Sequence, residues 1–414
     1  MRRVAAQVAD ALPGFARLPK VFADTFANTY STTLREHGDG SVFVITGDIP
    51  AMWLRDSAAQ VKPYLRLAQH DGHFARLIAG VVKRQAACVL IDPYANAFNE
   101  AANGHCHNRD QTDMGPWIWE RKYELDSLCA PLTLAHALWR VTGETNHLDA
   151  QFIVAARLIV ATIRQEQDHA SSPYSFERLE GPTSDTLTHG GRGNPVAHTG
   201  MSWCGFRPSD DACGYNYLVP SNMLAAVALG YLAELPLADA QLRADALTLA
   251  GEIRHGVEMH GITEHQRHGR IYAYETDGLG HHNLMDDANV PSLLAMPYMG
   301  YCRSDDATYL ATRRFVLSED NPFFFRGSAA AGVGSPHTPD SYIWPIALCM
   351  QGLTSASRDE KLALLDTLLA TDGGTGLMHE SFHKDDAAQF TRPWFAWANS
   401  LFAEFVMDVA GVGA

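Results

Sequence analysis

Six times along the chain, a loop with charged or aromatic residues runs into a small polar pair, and an apolar stretch of helical length follows. The junctions are MWLRDSAAQVKPYLRLA at Asp56-Ser57, YELDSLCAPLTLAHALW at Asp126-Ser127 and LVPSNMLAAVALGYL at Ser221-Asn222. They recur in NVPSLLAMPYMGY at Ser292, TPDSYIWPIALCMQGL at Asp340-Ser341 and WFAWANSLFAEFV at Asn399-Ser400. Asp, Ser and Asn favour helix N-termini, and proline is tolerated in a first turn, so each junction predicts a helix starting at or near the polar pair. The stretches behind them are apolar around most of their circumference, as in a helix buried on several sides. Between them lie amphipathic stretches at about 15–37, 73–91, 146–168, 237–259, 305–317 and 358–371, richer in Arg, Glu, Asp and Gln. Inner and outer helices therefore alternate. A helical hairpin cannot bury its inner face alone, but six hairpins closed into a ring can. The expected fold is all-α, an (α/α)6 barrel forming one domain over residues 1–414. Long loops are expected at 92–121, 169–214, 262–285 and 318–338, with short strands at 41–46 and 269–275.

The 46% hydrophobic content is enough to fill such a core. A net charge of −15 disfavours nucleic acid and anionic membranes as partners and suits a neutral ligand. No secretory signal and no bilayer-length apolar run is visible, and the seven cysteines stand apart with no C-x-x-C pair. These features predict reduced thiols and a cytoplasmic location.

If the polar residues at the inner-helix starts share one rim, they line a central pit. Arg55, Asp56, Glu124, Asp126, Asn222, Asp286, Asp287, Asn289, Asp340 and Glu380 are candidates, with Trp53, Trp117, Trp119, Trp203, Trp344, Trp394 and Trp397 nearby. Carboxylates and amides hydrogen-bond sugar hydroxyls while an aromatic face covers the apolar side of a pyranose. For each residue singly, core packing or helix capping is an equally good account. In FRPSDDACGY, Asp210 and Asp211 follow Arg207. A neighbouring carboxylate and burial raise a pKa, which suits a general acid, but a cap paired with Arg207 fits the same residues.

HESFH at 379–383 spells H-E-x-x-H, a zinc-hydrolase signature. That reading requires a helix, so that His379 and His383 face one way, and a third ligand such as Glu404. The glycines of TDGGTGLM before it and the proline of TRPW after it oppose a helix. The preferred reading makes Glu380 a general base. Acid and base carboxylates across an aromatic-lined pit are the arrangement for glycoside hydrolysis. A zinc-dependent peptidase and a non-catalytic glycan-binding toroid are the competing classes.

TGDIPAMWLRDSAAQVKPYL, WIWERKYELDSLCAPL, FRPSDDACGYNYLVPSNM, DGLGHHNLMDDANVPSLL, YIWPIALCMQGLT and DGGTGLMHESFH resemble glycoside hydrolase family 125, over residues from about 20 to 408. The resemblance implies an (α/α)6 barrel and an inverting exo-α-1,6-mannosidase that takes mannose-containing oligosaccharides and needs no metal or other cofactor. It places the base at Glu380 and the acid at Asp210 or Asp211. Alignment favours Asp211, and the local sequence leaves both open. Arg55, Asp56 and His379 are implied contacts of the terminal sugar. Trp53, Trp119, Asp126, Arg207 and Asn222 complete the expected substrate-binding set. The stretches 99–115 and 178–198 depart from the family's usual sequence and are expected to border the exit for the rest of the glycan.

Overall fold

The computed structural model describes residues 1–412. Six outer helices alternate with six inner ones. The outer helices are α1 (Leu18–Thr32), α3 (Gly72–Ile91), α5 (Ala150–Gln165), α7 (Ala240–His260), α9 (Ala307–Val316) and α11 (Arg358–Ala370). The inner helices are α2 (Leu54–Val61), α4 (Leu125–Thr142), α6 (Val219–Glu234), α8 (Met296–Met299), α10 (Pro345–Leu353) and α12 (Ala396–Val409). Helix α2 packs on α4, α4 on α6, α6 on α8 and α10 on α12, and α12 returns to α2. One continuous apolar core runs from Val4 to Val409. Helix α6 carries apolar side chains all round, from Val219 to Ala233, because neighbours cover it on every side. Deleting a side chain such as Leu229, which is fully buried, is expected to cost about 2–5 kcal/mol.

The two rings begin their helices differently. In five outer helices an Asp or Ser side chain caps the first turn. Asp71 accepts from the His73 N–H, Asp149 from Phe152, Asp239 from Leu242, Asp306 from Tyr309 and Ser357 from Glu360. The inner helices have no side-chain cap, and the residues before α2, α4, α6, α10 and α12 are Trp53, Glu124, Leu218, Trp344 and Phe395. The chain enters α2 and α6 directly from short strands, Met52–Trp53 and Tyr217–Leu218, and Tyr342–Ile343 lies just before α10. Extended entry places a large side chain at the cap position. It moves the polar pair into the first turn for α2, α4, α6 and α12.

Two sequence expectations are corrected. The Ser292 helix shrinks to the single turn Met296–Met299. Pro291 and Pro297 remove backbone donors, and Gly300 ends the turn in left-handed conformation. Asp340-Ser341 does not open α10, which starts at Pro345. The strands expected at 41–46 and 269–275 are present as Val42–Val44 and Gly269–Tyr272.

Candidate active site

The FRPSDDA segment is a tight turn. Phe206 bridges Ala212, the Arg207 N–H donates to the Asp211 carbonyl at 2.7 Å, and the Asp210 N–H donates to the Arg207 carbonyl at 2.9 Å. Asp210 stands at the tip with φ +69°, a conformation that Asp tolerates better than most residues. Its Oδ1 accepts from Trp53 Nε1 and from Asn96 Nδ2, each at 3.3 Å, while Lys122 Nζ donates to its carbonyl at 2.6 Å. Asp211 turns the other way. It is buried, its Oδ1 lies 3.2 Å from His337 Nδ1, and its Oδ2 has no partner.

Arg55, in the first turn of α2, is the hub beside this turn. Its guanidinium reaches Glu124 at 2.5 Å, Asp56 and Asp126 at 3.3 Å and Asp210 at 3.7 Å. One buried cation thus faces four carboxylates, so the cluster must retain protons to approach neutrality. Burial raises the Glu124 pKa far above the ordinary range. Arg55 opposes this, and the Asp210 charge adds to the rise. Burial raises Asp56 and Asp126 as well. Burial would also raise Asp210, but a hydrogen bond from Glu124 and the charges of Arg55, Lys122 and His337 hold it low. Glu124 and Asp210 are thus a coupled pair, Glu124 raised by burial and Asp210 lowered by its hydrogen bond and the surrounding cations.

Glu380 comes from the opposite side of the ring. It lies just before the strand Ser381–His383, the middle strand between Tyr342–Ile343 and Asp386–Thr391. Asn399, in α12, accepts from the Met378 N–H at 3.0 Å and donates to the Met378 carbonyl at 3.2 Å, fixing the approach. Arg392 Nη1 lies 3.4 Å from Glu380 Oε1, and its Nη2 binds Asp48 at 2.5 Å. Gly47, at φ +125°, bridges Phe395 so closely that a Cβ there would lie 2.7 Å from the Trp394 carbonyl oxygen. That close approach brings Asp48 to Arg392.

Asp210 and Glu380 line one cavity of about 40 Å³ together with Thr46, Ile49, Trp53, Arg55, Asp56, Pro208, Ser209, Asn289, His337, Trp344, Arg392, Phe395 and Trp397. Arg55 and Trp397 also line a larger, mainly apolar cavity on the far side, which Asp210 and Glu380 do not reach. Arg55 and Trp397 thus stand between the two cavities.

Residues 16–407 match the family model of the metal-independent alpha-mannosidases (GH125). The chain belongs to this family. A metal-independent alpha mannosidase of Streptococcus pneumoniae, solved in a non-productive complex with α-1,6-mannobiose, is 51% identical, with TM-score 0.97 over 99% of this chain and 98% of that one. The meiotically up-regulated gene 157 protein of Schizosaccharomyces pombe is 39% identical over 95% of this chain and 82% of its own length. A glycosidase only 15% identical, covering 96% of this chain and 97% of that one at TM-score 0.57, shares the fold alone.

In this mannosidase, Arg55, Asp56, Trp53, Asp210 and Glu380 of the sequence-predicted set meet in the cavity. The others have different neighbours. Arg207 donates to buried Glu275 at 2.6 Å and braces the Asp210 turn from behind. Asn222 clips Ser202 to the start of α6 through the Ser202 N–H and carbonyl. Asp126 accepts from Ser221 and lines the far cavity. Trp119 packs beside Trp53 and Ala97. His379 is buried, stacked 3.7 Å from Phe390, with Nε2 against Thr375 and Asp372.

HESFH is strand and strand entry rather than helix. Residues four apart on a strand are separated by roughly 13 Å, too far for one ion, and His383 packs edge-on to Tyr342. The zinc reading of the pentad fails on geometry.

His337, Arg392 and Asp48 escaped sequence reasoning, because isolated loop residues carry no periodic signal. His337 is about a third exposed (35%) at the rim. Burial would lower its pKa, but the hydrogen bond to Asp211 and the charges of Asp211, Asp210 and Glu380 push it up to about 9. The stretches 99–115 and 178–198 meet beside the Asp210 turn. Gln111 bridges Glu177, Arg178 binds Asp110, Glu120 and Asp185, and Lys122 binds Asp185.

No helix among the described residues is long and apolar enough to cross a membrane. The seven cysteines are unpaired.

Proposed function

We propose that this mannosidase removes non-reducing terminal α-1,6-linked mannose from oligosaccharides with inversion, Asp210 acting as general acid and Glu380 as general base. The observation that carries this reading is the pair of carboxylates, Asp210 and Glu380, lining one cavity, together with the α-1,6-mannobiose complex of the 51% identical relative. The terminal sugar enters first. Arg55 and Asp56 bind its hydroxyls, and Trp344, Phe395 and Trp397 supply apolar faces. The position of Arg55 and Trp397 between the two cavities stops longer chains from threading, which supports exo action.

Asp210 is assigned the acid role over Asp211 because its carboxylate lines the cavity, whereas that of Asp211 is buried against His337. Within the Glu124–Asp210 pair, the proton held by Glu124 passes to Asp210, which delivers it to the departing glycosidic oxygen. At the same time Glu380 takes a proton from a water that attacks the anomeric carbon from the opposite face. Arg392, anchored by Asp48, holds Glu380 in position. The meeting of residues 110–111 and 177–185 beside the acid turn assigns recognition of the leaving glycan to those stretches. The unpaired thiols support a reducing, cytoplasmic setting, which cell fractionation tests.

The decisive experiment is hydrolysis of α-1,6-mannobiose with and without EDTA, following the first-formed anomer by NMR. Release of β-mannose, undisturbed by EDTA, is expected. Initial α-mannose, a requirement for added metal, or no hydrolysis would overturn the reading. Glu380→Gln should lower kcat about 10²–10⁴-fold with an unchanged circular dichroism spectrum.

A further inference from the structure

Outside the sugar site, the hairpin of Ile262–His265 and Gly269–Tyr272 carries the sequence HQRH across its turn. The rings of His265 and His268 lie 5.0 Å apart, and both rest on Phe315 near the end of α9. Asp320 comes from the loop after α9, with Oδ2 2.8 Å from His268 Nε2. One donor atom from each of the three residues lies within 4.8 Å of the other two. None of the three lines the mannosidase cavity.

Two imidazole nitrogens and one carboxylate oxygen form a donor set suited to a borderline divalent ion, above all zinc, with a fourth position left to water. Phe315 holds both rings from below. The competing contacts are weak. Arg267 Nη1 lies 2.9 Å from Asp320 Oδ1, but Arg267 is largely exposed, so this ion pair contributes little. The Arg267 N–H donates to His265 Nδ1 at a long 3.2 Å, and Ser318 Oγ stands 3.5 Å from His268 Nε2. Asp320 is held below its ordinary pKa, first by the hydrogen bond from His268, and is ionised at neutral pH.

We propose that His265, His268 and Asp320 form a zinc site that staples the 262–272 hairpin to the loop following α9, separate from the metal-independent chemistry. The ligands come from two segments more than fifty residues apart in sequence, so a bound ion cross-links them and stabilises the folded chain. Both histidines must be neutral to bind, so protons compete with the ion for the two rings.

The test uses the full-length enzyme stripped with a chelator and titrated with zinc chloride by calorimetry. Wild type, His268→Ala, Asp320→Asn and Arg267→Ala are compared, with α-mannosidase turnover measured on each. One equivalent is expected to bind to wild type at least tenfold more tightly than to His268→Ala or Asp320→Asn. Arg267→Ala should retain binding. Zinc should raise the wild-type Tm by a few degrees at about a hundredfold excess over Kd, and turnover should match wild type in all variants. Equal binding by wild type and both ligand variants, or no stoichiometric uptake by wild type, would overturn the site. Should His268→Ala not fold, His265→Gln replaces it in the same comparison.

Discussion

The outer and inner helices of this mannosidase start with the same residue types and use them for different ends. At the outer starts, Asp71, Asp149, Asp239, Asp306 and Ser357 turn their side chains back onto their own backbones. At the inner starts, Asp56 and Asp126 lie inside the first turn and point at Arg55 instead. The first backbone N–H groups of α2, α6 and α12 donate instead to other segments, Leu54 to the Asn96 carbonyl, Val219 to that of Tyr274 and Ala396 to that of Thr46. An acidic residue at a helix start therefore serves stability on the outer ring and the site on the inner ring. The extended approach to the inner helices produces the difference.

The largest expected effect is on turnover at the inner face. Asp210→Asn should lower kcat about 10²–10⁴-fold with little change in Tm, and Asp211→Asn should retain far more activity. The reverse ranking would move the acid role to Asp211 and leave the mannosidase assignment standing. Next comes Arg55→Met, which leaves Glu124, Asp56 and Asp126 buried around a lost cation. Chemical denaturation should show a loss of about 3–5 kcal/mol, smaller at acid pH because the carboxylates can then protonate. At the outer ring, Asp149→Ala and Asp239→Ala should each cost about 1 kcal/mol and leave kcat and KM untouched. A kcat loss in either would break the division between the rings.

The smallest effect concerns His337. Its pKa in the folded enzyme, about 9, lies above the ordinary imidazole value of 6.5. The pairing with Asp211 therefore stabilises the fold fully below about pH 6.5 and is lost as pH rises through about 9. Wild-type Tm should decline across that window, and His337→Gln should flatten the decline. An equal decline in both would show that another group titrates.

The ring was legible because burial on several sides leaves a compositional mark that short-range reading detects, as in VPSNMLAAVALGYL. It failed at Ser292, where Pro291 and Pro297 interrupt an equally apolar stretch. Glu380 was read as a base from the family resemblance, its glycine-bounded loop allowing that role. His379 beside it was expected at the sugar, but strand alternation and the stack on Phe390 turn it into the core. Arg207 and Asn222 read as site residues by position, yet each is consumed by a structural partner far away in sequence.

Sequence alone determined the alternation of inner and outer helices, the acidic balance and the family, since these follow from local apolar periodicity and long matching segments. Tertiary structure decided which carboxylates meet. Asp210 and Asp211 are neighbours in the chain, and only the left-handed residue at the turn's tip sends one to the cavity and the other to His337. Arg55, Glu124, Asp210 and Glu380 lie in four separate segments, and the packing of the ring sets their distances. Charge interactions depend on those distances and on burial, neither of which is written in the order of residues.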